Sequence, residues 1–176
     1  MTRRIAALLL AGLTVTTAGC GPDDKEAEPA PPTASSAPAA LKTGEVVLDF
    51  PVDEADVRRC EILRGRANLP AGKTLVLGVR NKDNGNPERY FQVVEDWEYP
   101  ADLKDWKGAQ WFGDADSSAG QSFRVEVLVV DLALTRKLAQ AAKTEGFHSP
   151  DNPRGATVAA HIDLHRVKGK GPDECS

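Results

Sequence analysis

Long apolar runs are scarce. Beyond residue 15 nothing approaches the ~18 consecutive apolar residues of a membrane-spanning helix, so the body of the chain is not expected to cross a bilayer as helices. Clustered positive charge is also missing. The formal net charge is −4, and neutralising nucleic-acid phosphates takes clustered Lys and Arg, so no nucleic-acid partner is expected. The one basic run, Arg166-Val167-Lys168-Gly169-Lys170, carries three charges and reads as a solvated tail. No G-x-S-x-G is present. His148 beside Ser149 lies in a Pro/Asn stretch, where adjacency does not make a triad. A catalytic acid pair cannot be singled out among 26 acidic residues. The expectation is a binding protein, not an enzyme, with a hydrolase ranked last and no cofactor.

What is present begins with the first twenty residues. Met1-Thr2-Arg3-Arg4 is a positive n-region, Ile5 to Val15 is an apolar h-region, and small residues Thr16 to Gly19 precede Cys20. That is the order of a signal peptide, too short to span ~30 Å of hydrocarbon. Leu13-Thr14-Val15-Thr16-Thr17-Ala18-Gly19-Cys20 resembles a bacterial lipobox. The resemblance implies removal of residues 1–19 and lipidation of Cys20. Two thioether-linked chains, with a further acyl such as palmitate, would hold the protein at a membrane, since one acyl chain alone is marginal. The expected location is extracytoplasmic, lipid-anchored to the cell membrane. Arg3-Arg4 leaves the export route open between the general and the twin-arginine pathways.

Residues 20–43 read as a disordered tether. They are rich in Pro and Ala and hold no apolar residue larger than Ala before Leu41, so they cannot bury enough surface to offset chain entropy. Residues 44–176 read as the folded domain. Two cysteines remain there, Cys60 and Cys175. In an oxidising compartment an isolated pair reads as one disulfide, the alternative being two free thiols.

Extended patterns cover Glu45–Phe50, Val57–Ala67, Lys73–Arg80, Glu88–Val94, Ala109–Gly113, Gln121–Asp131 and Ala156–Val167. Asn84-Gly85 marks a hairpin between the third and fourth. Glu95–Gly108 and Phe147–Gly155 read as loops. Phe123, Val125, Val127 and Val129 are expected on one face, as are Val158, Ala160, Ile162 and Leu164. One helix is expected over Leu132–Glu145, ended by Gly146 and crossing an end or edge. Seven strands and one helix make the chain mainly β: an antiparallel two-sheet immunoglobulin-like sandwich with one helix. A parallel α/β fold would need a helix between most strands.

The segments Gly65-Arg66-Ala67-Asn68-Leu69-Pro70-Ala71-Gly72-Lys73-Thr74-Leu75-Val76, Arg89-Tyr90-Phe91-Gln92 and Gly120-Gln121-Ser122-Phe123 resemble a recurrent β-sandwich module. That module occurs in secreted and membrane-associated bacterial proteins, including lipoproteins of high-GC Gram-positive bacteria. The likeness covers about residues 51–145, with Val76 where tryptophan is common in the module. It implies a fold and carries no activity.

Three constellations are candidates for binding. Seven of the ten aromatic residues lie between Tyr90 and Phe112. Among them Trp97, Tyr99, Trp106 and Trp111, interleaved with acids, suit a glycan or a protein partner, or else pack over the sandwich edge. His161, Asp163 and His165 share one strand face, a weak metal constellation whose plain alternative is the polar side of a half-buried strand. Asp114-Ala115-Asp116-Ser117-Ser118-Ala119-Gly120 has alternating oxygens like a calcium loop, but lacks the glycine and closing glutamate of an EF-hand and reads as an acidic turn. A protein-interaction module at the cell envelope is the first functional expectation, and a carbohydrate-binding domain for envelope glycans the second. Replacing Cys20 by Ser is predicted to release the chain from the membrane fraction, and retention after a high-salt wash would refute lipidation.

Overall fold

A computed structural model describes residues 40–143, 146–172 and 175. The proposed signal peptide, the lipidation site Cys20 and the tether as far as residue 39 lie outside the described residues. No helix among the described residues is long and apolar enough to cross a membrane.

The chain is mainly β, with two sheets and one helix. Strands β1 (Val46–Phe50), β3 (Cys60–Ala67) and β6 (Asp105–Trp111) form a small sheet in the order β1-β3-β6. Strands β2 (Ala55–Val57), β4 (Lys73–Asn81), β5 (Arg89–Val93), β7 (Ser122–Asp131), β8 (Phe147–Ser149) and β9 (Thr157–Arg166) form a large one in the order β2-β9-β7-β4-β5-β8. All pairings are antiparallel except β2 with β9, which is parallel. The stretch expected as a single strand over Val57–Ala67 is divided: Arg58-Arg59 carries the chain from the large sheet to the small one.

The longest ladder joins β4 to β7, from Lys73 opposite Asp131 to Asn81 opposite Phe123. Its inner side chains, Leu75, Leu77, Val79, Phe123, Val125 and Val127, meet Val46, Leu63 and Trp106 of the small sheet in one core, which Ile162 and Leu164 complete. Burying one such aliphatic side chain is worth about 1.5–3 kcal/mol. The outer side of the same ladder is apolar at one end, where Val76, Leu128 and Val130 join Phe91 in a second cluster. The helix α1 (Leu132–Ala142) lies on that end through buried Leu138 and half-buried Leu134. The expected position at an end or edge is therefore corrected: the helix covers part of a sheet face, because β7 turns apolar on both sides.

Three further expectations change. Glu95–Gly108 is not all loop, since β6 begins at Asp105 and sends Trp106 inward between the charged Asp105 and Lys107. The Pro/Asn stretch contains β8, paired to β5. The pairing of β7 with β9 shifts between Val127 and Leu128, leaving Ala159 as the extra residue. That bulge turns Val158 away from Ala160 and Ile162, and Val158 stays 42% exposed. The Asn84-Gly85 hairpin joins β4 to β5, its loop running from Lys82 to Glu88.

Cys60 and Cys175 are joined by a disulfide across 115 positions, their Cα atoms 6.2 Å apart. In the loop-entropy account such a closure is worth about 4–5 kcal/mol. It straps the chain end to β3, where Cys60 N–H also donates to the Lys170 carbonyl at 3.2 Å. Within the small sheet, β3 has no room for a side chain at Gly65, between Val47 of β1 and Trp106 of β6. A methyl there would stand 2.5 Å from Trp106 Cζ2 and closer still to the Val47 carbonyl oxygen. Gly65→Ala is predicted to lower unfolding free energy by about 3 kcal/mol or to prevent folding, measured by denaturant titration. A loss below about 0.5 kcal/mol, the scale of a surface change, would show that the small sheet can accommodate a side chain beside Trp106.

Candidate functional site

The small sheet has three strands and the large one six, so part of the large sheet's inner face lacks a covering layer. Register identifies the part. Tyr90 stands opposite Val79, and His148 opposite Tyr90, so both share the inward face of the core residue Val79. Tyr90 is nevertheless 51% exposed, its ring 5.5 Å from that of His148. Between this face and the end of β6 lies a groove of about 510 Å³, within the range of small-molecule sites.

Three segments wall the groove, and each is tied down. The first is the β4–β5 loop. Asn81, Asn84 and Asn86 each accept, through Oδ1, a hydrogen bond from the backbone N–H two residues on, at 2.9–3.0 Å. These Asx turns fix the loop without a tight hairpin. Asp83 Oδ2 accepts from Ser122 N–H at 2.6 Å, and Asn81 Nδ2 donates to Gln121 Oε1 at 2.7 Å, which anchors the loop to β7.

The second wall is the loop from Gly113 to Gly120, with a 3-10 turn at Asp116–Ser118. Gly113 has φ +76, and a Cβ there would run into Ser118. Arg166 props this loop from behind. It is 1% exposed, its Nε donates to the Phe112 carbonyl at 3.2 Å, and Asp116 Oδ1 lies 3.6 Å from its Nη2. Burial pushes the Arg166 pKa down, Asp116 opposes that, and Arg59 adds to it. Arg166 is thus no part of a solvated tail, although Lys168 and Lys170 are exposed as expected.

The third wall is the end of β6. Trp111 is half-buried, with the Arg59 guanidinium over its ring at 5.4 Å. Gln110 is 1% exposed and lines the groove, yet its Oε1 has no hydrogen-bond donor among the described residues. An unpaired buried acceptor costs about 1–3 kcal/mol, and this one is closed off from solvent, a stability cost carried in the groove wall. The sequence signal for Gln110 is its place in the Trp106, Gly108, Gln110 alternation, an inward slot held by an amide.

The four aromatic candidates do not form one patch. Trp106 is 2% exposed and belongs to the core, which removes it as a contact residue. Trp97 packs half-buried on the core, its carbonyl accepting from Thr74 Oγ1 at 2.8 Å. Tyr99 is 62% exposed on the β5–β6 connection. Of the four, Trp111 alone lines the groove, beside Tyr90 and Gln110, which the sequence did not single out.

His161, Asp163 and His165 do share a face, but not a ligand. Asp163 is engaged by Arg124 at 2.8 and 2.9 Å and by Lys82 at 2.7 Å. His165 Nε2 meets Glu54 Oε2 at 2.6 Å, and His161 is exposed. No group of three metal-ligating side chains is found among the described residues, so these side chains carry a charge network on the polar half of the sheet.

No family model, curated protein or solved structure matches the chain, and the groove's own residues carry the functional reading.

The Arg124 hydrogen bonds, then that of Lys82, hold Asp163 well below the usual carboxylate range. A depressed folded-state pKa stabilises above the unfolded value of ~3.9, and that stability is lost as pH falls through the folded value. Asp163→Asn is predicted to cost about 1–2 kcal/mol at pH 7, since both cations are about a third exposed and screened. Denaturation midpoints at pH 7 and pH 3 check this. The gap between wild type and variant narrows below about pH 4; a gap independent of pH would remove Asp163 as the source.

Proposed function

We propose that the chain is a lipid-anchored, extracytoplasmic binding module of the cell envelope, not an enzyme, and that the groove is its ligand site. On this reading Cys20 holds it to the membrane, residues 20–43 are the tether, and residues 44–176 are an immunoglobulin-like sandwich of the bacterial module type. The two facing sheets and the extracellular-type disulfide Cys60–Cys175 support that picture.

Of the two ligand classes considered from sequence, the geometry favours a glycan over a folded protein partner. A standard protein interface presents about 800 Å² per partner, and the exposed aromatics Tyr90 and Tyr99 stand on separate segments. The groove is concave, with half-exposed rings at Tyr90 and Trp111 and an amide-rich wall. Rings stack on sugar C–H faces, and amides bond hydroxyls in both directions. The observation that carries the reading is the groove itself, about 510 Å³, with the Tyr90 and Trp111 rings and the Asn84 and Asn86 amides in its lining.

Titration of the full chain with solubilised envelope polysaccharides is predicted to give a saturable change in tryptophan emission. Calorimetry should show Trp111→Ala weakening binding about tenfold or more, with Trp97→Ala close to wild type. A flat titration of a folded chain would overturn the glycan reading and turn the search to protein partners by crosslinking.

A further inference from the structure

The charges around the groove allow a narrower statement, which rests on the groove being the binding site. Among the described residues that line it there is no Lys or Arg. The charged groups are the carboxylates Glu88 and Asp114. Glu88 is held by His148, Nδ1 to Oε2 at 3.2 Å. Arg59 lies over the Trp111 ring and is not among the lining residues. Arg89, next to Glu88 in sequence, is turned to Glu126 at 3.4 Å and to the Pro150 carbonyl.

Apart from Val79, Gly113 and Gly146, the rest of the lining is amide, hydroxyl and aromatic. Asn84 and Asn86 commit their Oδ1 atoms to the backbone, which leaves the Nδ2 donors for a ligand. Ser117 adds a hydroxyl, and Tyr90 and Trp111 supply ring faces.

We propose that the groove binds an uncharged saccharide and rejects its acidic counterparts. Ligand oxygens accept from the Asn84 and Asn86 amides, and the Tyr90 and Trp111 rings stack on sugar C–H faces. A uronate or phosphate would leave water to face two carboxylates with no cation to offset its desolvation. Discrimination therefore comes from a repulsive element as well as an attractive one. In a compartment containing both neutral and phosphorylated or uronate-bearing polymers, this directs the module to the neutral ones.

The test uses the full chain in a detergent without a sugar headgroup. It is titrated calorimetrically with neutral gluco-, manno-, galacto- and N-acetylglucosamine oligosaccharides, and with uronate and phosphorylated oligosaccharides of equal length. At least one neutral compound is expected to saturate, with its acidic counterpart about tenfold weaker or more. Tyr90→Ala should lose about tenfold on the neutral ligand, and Tyr90→Phe, which keeps the ring face, should retain it. The double substitution Glu88→Gln, Asp114→Asn should raise the ratio of acidic to neutral affinity about tenfold, a readout that a folding defect does not produce. Acidic compounds binding as well as neutral ones, with binding lost on Trp111→Ala, would overturn the selectivity and keep the groove as the site. Binding by neither class would overturn both.

Discussion

The β4–β7 ladder is the constraint on which the remaining structure depends. Nine consecutive pairs, Lys73–Asn81 against Phe123–Asp131, lie at the centre of the large sheet with apolar side chains on both faces. A strand pair buried on both sides needs a layer over each face. The small sheet supplies one and α1 the other. Because neither layer matches the large sheet in extent, the ladder also determines what stays open. The outer face beyond the helix becomes the Arg124–Asp163–Lys82 network, and the inner face beyond the small sheet becomes the groove.

The groove is therefore a consequence of sheet widths, while its stiffness comes from local chemistry. Asparagine side chains replace a tight turn on one wall, and a buried arginine braces the other through the Phe112 carbonyl. Walls fixed before a ligand arrives lower the ordering cost of binding. The Cys60–Cys175 bridge acts on the same end of the molecule. Cys60 pairs in register with Trp111, so the strap that holds the chain terminus also holds the strand that carries the ring.

Much of the fold was legible in the alternation of β4 and β7 and in the change of period at Leu132, because those elements carry their own hydrophobic pattern. The elements that were misread depend on partners elsewhere in the chain. Strand β8 is three residues long and exists by pairing with β5. The bulge at Ala159 shows in register, not in composition, and it alone decides that Val158 leaves the core. Asp105–Gly108, the first half of β6, looked like loop because its outward residues Asp105 and Lys107 are charged and one of its inward ones is Gly108. The period of two was there, carried by charge instead of by apolar residues. The aromatic cluster was visible as a cluster, but clustering along the chain does not survive a strand, where successive rings point to opposite faces.

Gln110 and Trp106 illustrate why the site was harder to read than the fold. Both sit in inward slots of one strand, both are nearly inaccessible, and each leaves a polar atom without a partner among the described residues. Trp106 Nε1 belongs to a ring whose volume fills the gap over Gly65, so the packing of a large apolar body offsets its lost hydrogen bond. Gln110 has no such compensation. It brings less apolar surface than a leucine would and leaves an acceptor unpaired, so on stability alone the slot favours an aliphatic residue. The functional reading therefore rests on the accessible part of the wall, exposed Tyr90 and half-buried Trp111, and assigns no contact to the closed-off Gln110 oxygen or to the Trp106 position, where the core is its own explanation.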